Sequence, residues 1–386
     1  MINRIDSLDI RNKRLLIRVD FNVPINNGKI LSDFRLRAVF ETINFCIKNN
    51  SKIILMSHLG RPKGVDSNLS LFPVFNYLTI KFPDSKVLFS DDCISDKSIE
   101  KSNSLNSGDI HLLENLRYYD EELLDSDSFS NTLSKHGDIY INDAFGTSHR
   151  MHASNSTILK YFNHKGIGFL MDKELKYLSK INLDDKSGLV LLLGGAKVSS
   201  KLAMIRHFIN KADYILVGGA MSFTFLKAKG YNIGNSLVEK DMIEEATFIL
   251  NESKNSNTKI FLPLDIICAE TFSNDSRSKC RLVSEIKENE MGLDIGFETI
   301  NNFINIIKGN NTLVWNGPMG VFEMDSFKIG TDRLAENISD LTKRNSLISV
   351  IGGGDTASAV ISLGIESSFT HVSTGGGASL QLLSGL

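Results

Sequence analysis

The chain has 386 residues, 42% of them hydrophobic and 23% charged, with a net charge of −2. That length exceeds one ordinary core and points to two domains. The charge balance argues against a nucleic-acid partner, no apolar run of eighteen or more residues predicts a membrane span, and four scattered cysteines (Cys46, Cys93, Cys268, Cys280) fit a reduced chain. The start, "MINRIDSLDIRNKRLLIRVDF", has no signal-peptide core, so a cytoplasmic location is expected.

In the first half, "KRLLIRV" and "SKIILMS" read as buried strands around a helix over "RLRAVFETINFCIKNN", with Leu36, Val39, Phe40, Ile43 and Ile47 on one face. "DIHLLENL" and "GDIYINDAF" continue the strands, giving a parallel sheet covered by helices. The first strand ends at Asp20, Phe21 and Asn22; the next carries the segment His58, Leu59, Gly60 and Arg61. Arg35 opens the intervening helix, and later strand ends add Arg117, Arg150 and His152. Each could be a solvated charge or a cap. Their recurrence at one presumed sheet edge instead makes a cationic bowl suited to a small phosphorylated hydroxy acid.

"MDKELKYLSKINL" reads as an amphipathic connector with Met171, Leu175 and Leu178 on one face. Beyond it, "GLVLLLGG", "ADYILVGGA", "NTLVWNGPMG" and "NSLISVIGGG" are apolar runs that end in glycine, which predicts one crevice at the carboxyl ends of a second parallel sheet. Only 8 of 29 glycines precede residue 185, whereas 9 of 14 arginines do. The first half therefore offers side-chain cations and the second backbone amides. "LLGGAKVSSKL" predicts a helix carrying Lys197 and Lys201 on one face, or a pair of surface lysines. Neither a Walker A loop nor G-x-G-x-x-G is present. Asn316 and Glu323 follow the strand in "WNGPMGVFE", and glycine-to-helix junctions occur at "GGGDTAS" and at Gly375, Gly376 and Gly377. Asp355 in a loop suited to phosphate either caps a helix or faces a magnesium ion between two anions.

Together, "RVDFNVP", "SHLGRP", "LLENLR", "INDAFGTSHRMHAS", "GFLMDKELKYL", "LGGAKVSSKL", "VGGAMSFTFLKAKG", "MGLDIG", "WNGPMGVFE", "GGGDTAS" and "HVSTGGGASL" resemble the phosphoglycerate kinase family, in its order and over nearly the whole chain. The resemblance implies two doubly wound α/β lobes that close by hinge bending: a glycerate lobe over residues 1–168, a connecting helix over 169–184, a nucleotide lobe over 185–370 and a C-terminal crossing segment over 371–386. It implies a monomer that passes a phosphoryl group between 1,3-bisphosphoglycerate and ADP, giving 3-phosphoglycerate and ATP, with Mg²⁺ on the nucleotide.

By motif, Asp20, Phe21, Asn22, Arg35, His58, Leu59, Gly60, Arg61, Arg117 and Arg150 would bind the glycerate substrate. Gly194, Gly218, Gly219, Gly292 and Leu293 would line the adenine side, and Glu323 would take the ribose. Lys201, Asn316, Gly353, Gly354 and Thr356 would hold phosphates, and Asp355 would ligate the magnesium. Arg35, Lys197, Gly375 and Gly376 would meet the phosphoryl group in transfer. Met151, Phe297 and Gln381 depart from the family pattern, as does the end at "LLSGL", which would bear on closure. A non-catalytic nucleotide-binding descendant is the alternative; it would be expected to have lost Arg35, Lys197 or Asp355, and all three are present.

Overall fold

The computed structural model describes residues 3–182 and 188–385. The chain divides into two compact units, Met1–Lys176 and Tyr177–Leu386. The boundary falls within the helix Phe169–Asn182. The expected join at residues 184–185 lies outside the described residues, as do residues 1, 2 and 386.

The first unit is built on Arg14–Val19 (β1), Lys52–Met56 (β2), Val87–Phe89 (β3), Ile110–Leu112 (β4), Ile139–Asp143 (β5) and Lys165–Ile167 (β6). They form one sheet in the order β3-β4-β2-β1-β5-β6, and every pairing is parallel. Successive side chains alternate between its faces. Leu15, Ile17 and Val19 enter one core with Ile53 and Leu55, while Leu16 enters the other with Ile54, Met56 and Tyr140. Both faces being covered explains why these strands read as continuous apolar runs. The expected helix after β1 is two helices, Phe34–Ala38 and Phe40–Lys48, broken at Val39. Leu36, Val39 and Ile43 are buried, whereas Phe40 and Ile47 only pack against the core margin.

In the second unit the strands are Leu189–Leu193 (β7), Tyr214–Val217 (β8), Lys259–Phe261 (β9), Asp265–Ala269 (β10), Lys279–Leu282 (β11), Met291–Ile295 (β12), Thr312–Asn316 (β13), Ile348–Gly352 (β14) and His371–Val372 (β15). Six form a parallel sheet in the order β9-β8-β7-β13-β14-β15. The order reverses between β7 and β13, and a crevice beyond such a reversal is the usual ligand site of doubly wound folds. Val190, Leu192, Leu313, Trp315 and Ile351 pack on one face. Fully burying each such side chain contributes about 1.5–3 kcal/mol. Strands β10–β12 form a separate antiparallel sheet. The final helix, Gly377–Leu383, belongs to this unit and packs on the helix Leu202–Phe208.

Candidate functional site

At the carboxyl end of the first sheet, side chains from four strand ends converge. Asp20 follows β1 and is buried; its Oδ1 accepts from the Asn22 amide at 3.1 Å, and its Oδ2 lies 3.3 Å from Arg35 Nη1. Arg35 Nη1 also donates to the Asn22 carbonyl at 3.0 Å. The Asn22 side chain accepts from Gly60 N at 2.9 Å, and Arg117 Nη1 donates to the Gly60 carbonyl at 2.6 Å. Asn115 completes the frame: its Oδ1 accepts from Leu59 N, and its Nδ2 donates to the Leu59 and Leu69 carbonyls. The loop after β2 is therefore pinned by the loops after β1 and β4. Phe21 and Leu59 have buried side chains, and their backbone groups are engaged within the unit: Phe21 N donates to Ser57 Oγ at 2.8 Å, the Phe21 carbonyl accepts from Val23 N at 2.8 Å, and Asn115 holds both the amide and the carbonyl of Leu59. Arg61 is exposed, and Arg150 is partly buried.

The positive charge here is dense. Burial, followed by the charges of Arg18, Arg117, Arg35 and Arg150, holds His58 well below the usual histidine range. Burial and the charges of Arg117, Arg18 and Arg150 bring His152 down to about 4, and burial with Arg150 and Arg18 lowers Arg117 to about 10. Arg117 Nε and His152 Nδ1 are buried without a hydrogen-bond partner among the described residues. Such a concentration of cations is chemically suited to an anion. Arg18 and Glu122 were not among the residues expected here. The signal for Arg18 was a charge inside the apolar run "LLIRV"; Glu122, in "YYDEELL", reads as a solvated acid.

At the reversal point of the second sheet, a cavity of about 310 Å³ is lined by Gly194, Lys197, Lys201, Asn316, Gly353, Gly354, Asp355, Thr356 and Gly376, all expected site residues, by Gly377 of the expected glycine-to-helix junction, and by Ser200 and Leu380, which were not expected. The loops after β7 and β13 touch so closely that a Cβ on Gly194 would lie 2.1 Å from the Pro318 carbonyl oxygen. Gly353, at φ +91°, turns the chain into the helix Gly354–Ser362, whose first amides face this space. Asp355 is not the N-cap, since Gly353 holds that position; its carboxylate has no hydrogen-bond partner among the described residues. Thr356 is buried and its hydroxyl accepts from Gly317 N at 2.6 Å.

The two lysines do not share a helical face. The helix begins at Leu202, and Lys197–Lys201 form a turn before it. Serine hydroxyls compete with helix formation there. Ser199 binds Glu239 through its Oγ at 2.6 Å and its amide at 3.0 Å, and Ser200 Oγ donates to the Lys197 carbonyl at 2.8 Å. Both lysines nevertheless line the cavity. Lys197 is exposed, whereas Lys201 is buried, donates to Asn316 Oδ1, and is brought down to about 8 by burial against the opposing pull of Asp355. Asn316 Nδ2 is buried with no acceptor among the described residues.

A second cavity of about 390 Å³ shares Gly195, Ala196 and Asp355 with the first, and is walled by Phe223, Leu237, Phe272 and Met319 together with the expected Gly219, Gly292, Leu293 and Glu323. A polar compartment thus opens into an apolar one. Gly218 lies behind this wall, where a Cβ would meet Met319 Sδ at 2.5 Å. Gly375 binds Ser373 Oγ through its amide and does not line either cavity. The apolar walls come from separate segments: Phe223 and Met319 lie within the quoted stretches "VGGAMSFTFLKAKG" and "WNGPMGVFE", whereas Leu237 and Phe272 lie in none.

The family model for phosphoglycerate kinase matches residues 5–386. The chain is 42% identical over 386 residues to the phosphoglycerate kinase of Prochlorococcus marinus (strain MIT 9515), covering 100% of this chain and 96% of that protein. It is 44% identical over 382 residues to that of Chloroherpeton thalassium, with 99% and 96% covered. Among solved structures, the phosphoglycerate kinase of Coxiella burnetii superposes with a TM-score of 0.85 at 32% identity, covering 100% of this chain and 97% of the other. That of Pyrococcus horikoshii OT3 gives 0.86 at 30% identity, with 99% and 96% covered.

Proposed function

The chain belongs to the phosphoglycerate kinase family, and on that premise we propose that it passes a phosphoryl group reversibly between 1,3-bisphosphoglycerate and ADP, the first unit holding the glycerate and the second the nucleotide. The carrying observation is the first cavity of the second unit: a buried ammonium at Lys201, an unpartnered donor at Asn316 Nδ2 and a glycine-opened helix N-terminus converge on one space. Such a set is built for an anion. The adjoining apolar cavity would take the base, with Glu323 at its rim for ribose hydroxyls.

In this reading, Arg35, Arg117 and Arg150 fork the carboxylate and phosphate oxygens of the glycerate, and Asp20 and Asn22 meet its hydroxyl. Lys201, Asn316 and the Gly353–Gly354 amides hold phosphates that persist through the reaction. Lys197, with Arg35 and the Gly375–Gly376 segment, meets the group in transfer, where charge spreads over three oxygens. An acyl phosphate is already a reactive donor, so positioning and charge stabilisation suffice and no general base is needed. With donor and acceptor on different units, transfer requires the units to close and exclude water. We infer a cytoplasmic monomer from the same premise; among the described residues no helix is long and apolar enough to cross a membrane.

The exposed carboxylate of Asp355, without a hydrogen-bond partner among the described residues, in a cavity that also holds Lys197, Lys201 and the Gly353–Gly354 backbone, fits a magnesium ion carried on nucleotide phosphates. When bound, that ion would offset the charge of the phosphates. Asp355→Asn is expected to weaken Mg-nucleotide binding several-fold more than metal-free nucleotide binding, measured by calorimetry; equal weakening contradicts the metal role. The activity itself is tested by ATP formation from ADP and 1,3-bisphosphoglycerate in a coupled assay. Binding of both ligands without turnover would instead support a non-catalytic descendant.

A further inference from the structure

Behind the arginine bowl lies an ion pair that no ligand can reach. Arg18 and Glu122 are both 0% exposed. Every branch of the guanidinium is engaged on a different partner. Nε donates to Ser154 Oγ at 2.9 Å, Nη1 donates to the Val19 carbonyl, and Nη2 reaches His58 Nδ1 at 3.2 Å. Ser154 Oγ, having accepted from Arg18, donates to Glu122 Oε1 at 2.6 Å, and the Ser154 amide donates to Oε2 at 2.9 Å. Glu122 Oε1 stands 4.0 Å from Arg18 Nη2 and 3.8 Å from His152 Nδ1. The pair is thus electrically balanced and hydrogen-bonded throughout, the condition under which buried charges persist.

The direction of these bonds settles a proton. A guanidinium has donors and no acceptor, so His58 Nδ1 must be the bare nitrogen, and a neutral ring then carries its proton on Nε2. Asp20 Oδ1, 4.0 Å from Nδ1, is too far to reverse this. The charged groups acting on the ring are Arg18 and Asp20 from β1 and its end, Arg35 from the following helix, Arg117 from the loop after β4 and Arg150 from the loop after β5. We propose that Arg18 and Glu122 are positioning residues for the glycerate site: they lock His58 as a ring with its proton on Nε2, so that it serves a substrate oxygen as a neutral donor among cationic ones. This rests on the phosphoglycerate reading. Glu122 acts one step further back, holding Arg18 in place and cancelling one charge of an arginine cluster that would otherwise repel itself. Burial and the surrounding arginines keep the ring uncharged.

The test is nitrogen-15 NMR of the histidine rings in the full chain, with His58 assigned by His58→Gln. The expected spectrum has a bare Nδ1 and a protonated Nε2 on His58, unchanged from about pH 7.5 to about pH 5.5, across the ordinary histidine value near 6.5. Addition of 3-phosphoglycerate is expected to shift the Nε2 signal. A double variant, Arg18→Met with Glu122→Gln, removes both charges together, so that neither is left buried alone. In it the ring, still buried and still faced by Arg117, Arg35 and Arg150, is expected to stay neutral but to lose its fixed tautomer, the proton appearing on Nδ1 as well as on Nε2, because the Arg18 donor to Nδ1 is gone. The KM for 3-phosphoglycerate is then expected to rise several-fold while the nucleotide KM stays level. A merely structural pair would leave the Nε2 proton in place, and an Nε2 proton as fixed as in the unaltered protein overturns the proposal. A proton on Nδ1, or an imidazolium near pH 6.5, in the unaltered chain overturns the proposal, and that readout does not depend on the variant folding. A bare Nδ1 with no response to 3-phosphoglycerate overturns the substrate reading and the positioning role with it.

Discussion

Arg117 in the first unit and Lys201 in the second are both buried cations at the ends of parallel strands, yet they are held in opposite ways. Arg117 sits in a crowd of like charges, pinned to the Gly60 carbonyl, and is lowered only to about 10. Lys201 stands in a cavity of backbone amides with one amide oxygen for company, and burial brings it down to about 8. Guanidinium keeps its charge under compression, whereas an ammonium gives up its proton when desolvated. The first unit can therefore stack several cations around one small ligand. The second uses dipoles for much of its attraction and sets two lysines with one carboxylate among them. The first pays for its crowding with carboxylates such as Asp20 and Glu122 placed among the arginines.

The largest effect expected from this contrast is in catalysis. Lys197, exposed at the cavity mouth, is free to follow charge as it develops, whereas Lys201 is fixed by Asn316. Lys197→Ala should lower kcat on the order of 10²–10³ with little change in nucleotide KM, and Lys201→Ala should mainly raise that KM. Steady-state kinetics on both variants checks this, and the reverse pattern would exchange the two roles.

Acid should distinguish the units next. In the first, Ser102 Oγ bridges His111 Nδ1 at 2.8 Å and His136 Nδ1 at 2.7 Å, and burial lowers these rings to about 3 and about 4. Their folded values lie below the unfolded value near 6.5, so the stability they allow is intact above pH 6.5 and is lost as the pH falls from 6.5 toward 4. At pH 5 the loss is roughly 2 kcal/mol per ring. Hydrogen exchange followed by mass spectrometry should find the first unit opening before the second between pH 6.5 and pH 5. Equal protection of both would contradict the assignment of neutral buried rings.

A smaller effect lies on the alkaline side. Lys201 carries its charge below about pH 8 and loses it above, so nucleotide affinity should fall by up to roughly tenfold per pH unit above that value. Glycerate affinity, resting on arginines, should stay level. Calorimetric titrations of each ligand at several pH values would separate the two.

Much of this was legible from the chain alone. "GLVLLLGG" and "NTLVWNGPMG" announce buried parallel strands because both sheet faces are covered and glycine lets their loops touch. What was not legible arose from contacts between distant segments. The turn at Lys197–Lys201 depends on Glu239, some forty residues on, drawing Ser199 out of helical pairing. Strand β11 carries Lys279 and Arg281 on an exposed edge, so no apolar run marks it. Arg18 and Glu122 were hidden because a charge in sequence is read as solvated until its partner is known. The walls of the apolar cavity, Phe223, Leu237 and Phe272, meet only in the fold.

In the function proposed above, glycerate and nucleotide are held by separate units through different chemistries. Calorimetric binding of 3-phosphoglycerate and of Mg-ADP, each to Arg150→Ala and to Lys201→Ala, tests this division. Arg150→Ala is expected to weaken 3-phosphoglycerate by about 1.5–3 kcal/mol and to leave Mg-ADP unchanged, and Lys201→Ala to do the converse. Loss of both ligands in either variant, or of neither ligand in both, would contradict it.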